Sequence, residues 1–481
     1  MRSKLSLLIL AWVLPCLAQE RTADLPPAPP VTLDASLQQQ QPPPPSSPSA
    51  VSGSQPAPKP LLDPGTKSTP ITRSEAETLA LKNNPRITAS QLLSLAAGQV
   101  TRETRAGELP QIYGAASAEK AQDGSRIGAA PGVLTSSRLY THAAGGGTFS
   151  QLLTDFGHTR DLVATNRLQQ KAQDQTTLAT QQYVLLATDE AFYRLLNAQS
   201  LLQVAQAAVA ARGSVQNLTQ ALTKSALRSD LDLNIASADL SQSQLLQLDA
   251  ENAVASTSAA LAAVLAAPPD TLYQAAEDPN TAPPPPPDAG SSTALNAVAQ
   301  AQRPDLQSLR LSAQAFKEYA RAQQLQQLPT ISALATGGVT PVGVDGVFVP
   351  HWFAAGGVNL SVPLFTGFRI TAQAQEARLR ERATEKQAQE LSDTIARDVR
   401  VSILNAQTAF RRIGVADQFR NQTAQALSLA QTRYKLGLSS IVELSQSQLQ
   451  STQAAVSAVN ARYDYLLALR ALDYSRGQLA P

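Results

Sequence analysis

The chain has 481 residues, 43% of them hydrophobic and 16% charged, with 39 Lys and Arg against 37 Asp and Glu. A formal charge of +2 supplies no field for a polyanion, so composition does not point to nucleic acid as a partner. The low charge and the long tracts of Ala, Gln, Leu and Ser predict long helices packed through small side chains.

In chain order, residues 1–18 read as a secretory signal peptide: Arg2 and Lys4, then an apolar run from Leu5 to Leu14, then Pro15-Cys16-Leu17-Ala18. Cleavage after Ala18 leaves a mature chain without cysteine. A rival reading makes Cys16 a lipid-bearing N-terminus, to which Pro15 is a poor fit. Beyond the signal no run of about twenty apolar residues remains, so a membrane crossing has to use strands. Residues 19–70, with Pro42 to Pro45 unbroken, are too rich in Pro, Gln and Ser to order themselves and are predicted to form a tail.

Two similar regions follow, 71–267 and 293–478, separated by a Pro-rich linker at 268–292 that holds Pro283 to Pro287. Asn84-Pro85-Arg86-Ile87 matches Arg303-Pro304-Asp305-Leu306, Leu109-Pro110 matches Leu328-Pro329, and Asp155-Phe156-Gly157 matches Phe365-Thr366-Gly367. Lys224-Ser225-Ala226-Leu227-Arg228-Ser229 matches Lys435-Leu436-Gly437-Leu438-Ser439-Ser440. The order is the same throughout, which predicts an internal duplication. Each half reads as helix, proline stop, two strands, glycine turn, very long helix, tip and long helix.

The clearest strands are Thr330 to Val339 and Trp352 to Leu364. In the second, Trp352, Ala354, Gly356, Val358 and Leu360 alternate with Phe353, Ala355, Gly357, Asn359 and Ser361, the pattern of a membrane barrel strand. Their first-half partners, Gln111 to Lys120 and Tyr140 to Leu152, are blurred by Gly and Ala. Four strands cannot close a barrel, and an open edge is not tolerated in lipid, so the strand count predicts three chains supplying twelve. Trp352, Phe353 and Tyr140, at strand ends, are expected in an interfacial aromatic girdle. The long segments carry seven-residue repeats: Leu178, Leu185, Phe192; Leu195, Leu202, Val209; and Val442, Leu449, Val456, Tyr463. No proline interrupts Gly367 to Gly437, which as helix would reach about 105 Å.

No catalytic, cofactor or metal site is expected. Asp155-Phe156-Gly157 lacks the lysine strand and catalytic loop of a kinase and reads as a turn from strand into helix. Gly145-Gly146-Gly147 has no following Lys-Ser/Thr and reads as strand passing a close neighbour. His142, His158 and His351 are scattered.

Three stretches now carry a family resemblance: Ala80-Leu81-Lys82-Asn83-Asn84-Pro85, Val362-Pro363-Leu364-Phe365-Thr366-Gly367-Phe368-Arg369, and Arg433-Tyr434-Lys435-Leu436-Gly437-Leu438-Ser439. In order, spacing and duplication they resemble the TolC-like outer-membrane efflux proteins. The resemblance implies a homotrimer with a twelve-stranded barrel in outer-membrane lipid and a twelve-helix tunnel in the periplasm. It also implies docking with an inner-membrane transporter through a periplasmic adaptor, for efflux or type I secretion. Adaptor contacts fall at Gly437, Leu438 and Ser439 and at Ala226, Leu227 and Arg228. Ala226 in the place of Gly437 leads one to expect a different turn at the first tip. The aligned entrance constriction is Glu443 and Gln446, one acidic ring where relatives have two, and Tyr434 aligns with a residue that ties the closed tip. The competing reading, a periplasmic coiled-coil scaffold or adaptor without a pore, gives no reason for the alternating strands. A hydrolase lacks any catalytic constellation.

Overall fold

A computed structural model describes residues 69–119, 126–127, 137–138, 142–268, 270–276, 283–286, 292–339 and 352–479. The signal peptide, nearly all of the tail, Tyr140, His351 and parts of the linker lie outside the described residues. The chain is mainly helical. Its elements run β1 (Thr69–Ile71), α1 (Arg73–Asn83), α2 (Pro85–Ala106), β2 (Gln111–Glu119), β3 (Arg126–Ile127), β4 (Ser137–Arg138), β5 (His142–Thr154), α3 (His158–Lys224) and α4 (Asp230–Val264). There follow β6 (Tyr273–Ala275), α5 (Ser292–Gln302), α6 (Pro304–Leu325), β7 (Thr330–Val339), β8 (Trp352–Ser361), α7 (Arg369–Lys435) and α8 (Ile441–Ser475).

Every helix has a counterpart of equal length. α1 and α5 have 11 residues, α2 and α6 have 22, α3 and α7 have 67, and α4 and α8 have 35. The starts of α1/α5, α2/α6 and β2/β7 differ by 219 residues, and those of α3/α7 and α4/α8 by 211, so the shift in offset falls inside the strand hairpins. The X-Pro pairs are helix starts. Asn84 accepts from Arg86 N at 3.0 Å and places Pro85 at the first turn, where its missing N–H costs nothing. Arg303 and Pro304 do the same for α6 without a side-chain cap.

One antiparallel sheet, ordered β2-β5-β7-β8, holds the four strands expected from the alternation. The register stacks Ile112, Phe149, Ala335 and Gly356 across one face, and Ile331 opposite Leu360 and Val339 opposite Trp352 on that same face. The other face carries Tyr113, Thr148, Thr336 and Ala355 in a row, with Ser332 opposite Asn359. The faces are therefore apolar and polar, as a wall between lipid and water requires. β5 and β7 approach so closely that a Cβ on Gly146 would stand 2.8 Å from Gly337 O and one on Gly338 2.6 Å from Gly145 O. Both positions require glycine, which is the close approach expected for the Gly145–Gly147 run.

Two short sheets had no signal in the sequence. β1 pairs in parallel with β6, so the predicted tail boundary at 70 cuts a strand and the linker returns to meet it. β3 pairs with β4 between β2 and β5. The linker is also tied to α8, where Tyr465 Oη donates to Pro284 O at 2.5 Å.

The long helices change partners halfway. Level with α2 and α6 the lateral order is α2-α3-α6-α7, and level with the return helices it is α4-α3-α8-α7. In the second region the buried seams repeat every seven positions and are mostly small: Ala198, Ala205 and Thr219 on α3, with Arg212 the one large member, and Ala409, Ala416, Thr423 and Ala430 on α7. This bears out packing through small side chains and corrects the register of one predicted seam. On α8 the buried line runs through Ile441, Leu444, Gln448, Ala454, Ala458, Ala461 and Tyr465; of the predicted seam Tyr463 is buried, while Val442 is 61% exposed and Leu449 and Val456 are half-buried. Leu178 is exposed too and Leu202 and Val209 are half-buried, although Leu185, Phe192 and Leu195 are buried as predicted.

Where the partners change, the main core gathers Phe192, Leu195, Leu196, Leu261, Leu265 and Tyr463 with Ala76 and Ala80 of α1. Burying each large side chain there contributes roughly 1.5–3 kcal/mol. The fully buried Asp189 of α3 meets Arg470 Nε of α8 at 3.2 Å in the same zone. Removing one partner of such a pair costs about 3–5 kcal/mol, because it strands the other charge.

Candidate functional site

The tips lie where α3 turns into α4 and α7 into α8. Both turns close alike. Leu227 N donates to Leu222 O at 2.9 Å and Ala226 N to Thr223 O at 2.9 Å; Leu438 N donates to Arg433 O at 2.8 Å and Gly437 N to Tyr434 O at 3.0 Å. These are Schellman closures, which need one residue in the left-handed region. That residue is Ala226 at φ 57° in the first tip and Gly437 at φ 72° in the second. The expectation of a different first turn is therefore wrong: the hydrogen bonds dictate the conformation, and Ala226 is held in it at a cost of about 1–2 kcal/mol. Each return helix then starts on a serine cap, Ser229 to Asp232 N at 3.2 Å and Ser440 to Glu443 N at 3.3 Å.

The two tips are bound to each other. Tyr434, 1% exposed, shares a hydrogen bond with Thr219 Oγ1 at 3.0 Å, joining α7 to α3. Arg228 lies over the Tyr434 ring at 4.6 Å and donates to the carbonyls of Tyr434 (3.4 Å) and Ser439 (3.3 Å), while its other arm is 3.9 Å from Asp232. Three of the predicted tip residues, Arg228, Tyr434 and Ser439, thus form one clasp. Ala226, Leu227, Gly437 and Leu438 stand outside it, and Leu227, Leu231, Leu436 and Leu438 are all about two-thirds exposed. Leucines left in water at a turn form an apolar surface suited to a partner.

Glu443 and Gln446 are both exposed on the first turns of α8. Glu443 has a partner that sequence reasoning missed: Arg433 Nε is 3.6 Å from its carboxylate and Arg433 also donates to Leu438 O at 3.4 Å. The signal was available, since Arg433 adjoins Tyr434 in the family stretch. From Glu443 the exposed line of α8 runs through Gln446, Gln450 and Gln453, and residues 444–461 carry no ionisable side chain.

At the sheet, Trp352 lies on the apolar face opposite Val339, but Phe353 points to the polar face. Its Cε1 is 3.0 Å from where a Cβ on Gly338 would stand, so the ring covers the glycine gap. Adjacent residues of a strand cannot share a face, so Trp352 and Phe353 stand on opposite sides of the sheet. Tyr140 lies outside the described residues. Asp155-Phe156-Gly157 is the strand-to-helix turn expected of it, with Phe156 and Gly157 at positive φ. Burial pushes the Asp155 carboxyl up, but hydrogen bonds from Thr159 and Gly157 outweigh it and hold it below the usual range. No group of His, Cys, Asp and Glu suited to a metal occurs among the described residues.

A sheet with one apolar and one polar face, continuous with long paired helices that end in clasped tips, defines the subunit of a membrane export channel. The chain belongs to the outer membrane efflux protein family, whose model matches residues 78–267 and 295–478. It is similar to the outer membrane protein TolC of Vibrio cholerae, 23% identical over 322 residues, covering 64% of this chain and 70% of that one. The fold is shared with the Campylobacter jejuni CmeC outer membrane channel, at TM-score 0.72 and 18% identity over 84% of this chain and 85% of that one. It is shared likewise with the outer membrane protein VceC of Vibrio cholerae, at TM-score 0.69 and 19% identity over 84% and 96% of the two chains.

Proposed function

We propose that three copies of this chain close into a passive exit duct through the outer membrane, serving a tripartite efflux pump or a type I secretion system. One observation carries the reading: at every level the chain ends laterally in two open edges. The edges are β2 and β8 in the sheet, α2 and α7 in the upper helices, and α4 and α7 in the lower. An edge strand in lipid must be paired, so copies joined edge to edge have to close on themselves, and three copies supply the twelve strands that the family resemblance implies. A scaffold that never enters lipid would have no use for a sheet with an apolar face. The equal lengths of α1 to α4 and α5 to α8 support an origin by internal duplication, with 268–292 as the joint between the two repeats.

In this reading Trp352 anchors the apolar face at the lipid interface, and the exposed leucines of both tips dock a periplasmic adaptor that links the duct to an inner-membrane transporter. Glu443, Gln446 and Tyr434 narrow the mouth. Because Glu443 and Arg433 are closer to each other than a Debye length of about 8 Å, a permeating ion meets a nearly neutral pair rather than an acidic ring. The duct itself does no chemistry.

The test is reconstitution in planar bilayers of protein whose mass is fixed by native mass spectrometry. Discrete conductance from a trimer is the expected result. A species that never conducts and stays out of lipid would overturn the duct in favour of the scaffold.

A further inference from the structure

Resting on the trimeric reading, we infer that the lower seam between copies is held by opposite charge: α4 of one copy seats against the lower half of α7 in the next. Both are edge helices at that level, so each has a side unclaimed within its own chain. Over its 35 residues α4 carries five acids, Asp230, Asp232, Asp239, Asp249 and Glu251, and no base. From Arg400 to Lys435, α7 carries six bases and one acid, Asp417. Among the described residues Asp239 and Asp249 on α4, and Arg411 and Arg412 on α7, form no ion pair within the chain. Both helices also keep large apolar side chains in water, Leu245 and Leu246 on α4 and Val415, Phe419 and Leu429 on α7.

The bias belongs to the lower level alone. Between Arg369 and Val399, α7 carries six bases and six acids, and the edge it would meet there, α2, offers the exposed Leu92, Leu93, Leu95 and Val100. At the upper seam α7 is balanced and α2, with three bases and one acid, offers it no opposite charge, so that contact is apolar, whereas the lower seam is electrostatic. Opposite edges also fix direction. An α4 edge repels another α4, and a lower α7 repels another α7, so only head-to-tail contact is favoured, and head-to-tail contact makes rings.

The experiment places photoreactive p-benzoylphenylalanine at Leu245 of the full chain and maps cross-links in the purified trimer by mass spectrometry. Links from Leu245 to residues 400–435 of a second copy are expected. Arg411→Glu with Arg412→Glu should lower their yield by about fivefold, the size expected for about 1 kcal/mol of lost pairing, and Asp249→Arg with Glu251→Arg in the same chain should restore it. Raising salt should weaken the wild-type links and leave the upper seam intact. Links within one copy, links to α4 of a second copy, or a yield indifferent to charge reversal would overturn the inference. Conductance of the same trimers is recorded in parallel. A conducting trimer with links elsewhere sinks the charged seam alone, whereas absence of any trimer sinks the duct.

Discussion

The two halves of the chain make the same turns with different residues. At the tips the left-handed position is Ala226 in the first half and Gly437 in the second, and where the return helices end it is Ala266 in the first and Gly477 in the second. All four close with the same pair of backbone hydrogen bonds. A left-handed alanine is strained, so its presence twice in one half means that the surrounding packing, and not the local residue, decides where these helices stop. The glycines differ from each other as well. A Cβ on Gly477 would stand 3.0 Å from Arg303 N, whereas one on Gly437 would meet nothing within 4 Å.

The largest effect should come from asking a tip to hold a residue that neither half uses. In Gly437→Val a β-branched side chain meets φ 72°, a true outlier, and the turn should re-form elsewhere. Export, followed as cellular resistance or secretion, should be lost while trimers persist on native mass spectrometry; normal export would sink the tip assignment.

Next is Gly477→Ala, which adds collision to strain. It should destabilise by about 2–3 kcal/mol, against about 1–2 for Gly437→Ala. Equal losses in thermal unfolding would mean that the approach of Arg303 relaxes freely.

The clasp lies between the halves and should weaken by about 1–1.5 kcal/mol in Tyr434→Phe, which leaves Thr219 with only its own helix carbonyl. A larger single-channel conductance is the expected reading, and an unchanged one would make the hydrogen bond merely structural. In Arg433→Gln, Glu443 loses its partner, and the reversal potential under a salt gradient should move toward cation selectivity. No movement would show that the pair does not face the permeating ion. The smallest effect should be Ala226→Gly, which relieves the left-handed strain and should slow amide exchange at the first tip about three- to fivefold, the sign opposite to that of Gly437→Ala.

Much of this was legible beforehand, and unevenly. The second-half strands announced themselves because Val358, Leu360 and Trp352 contrast with Asn359 and Ser361. In β5 the run Gly145–Gly147 erases that contrast, because the sheet needs close approach there more than it needs side chains. The X-Pro pairs marked element boundaries, but the one helix expected before the strands of each half is two, because Pro85 and Pro304 each begin a new helix. The α8 seam was misplaced for a physical reason. Val442, Leu449 and Val456 repeat every seven residues just as Ala454 and Ala461 do, and the eye follows the larger residues. Within one chain Ala454 and Ala461 are buried, and Val442 is left for other contacts. The clasp was largely visible: Arg228, Tyr434 and Ser439 were found, but Thr219 belongs to it through tertiary geometry that spacing does not encode.

The ladder of small residues also bears on calibre. Helices that meet through Ala409, Ala416 and Ala430 can run about 8 Å apart, whereas leucines at those places would hold them nearer 10 Å. In the proposed ring of twelve such rods, that difference would separate a bore about 30 Å across at the helix axes from one of about 38 Å. In that ring the width of what can pass would be set by methyl groups inside the wall, away from any cargo.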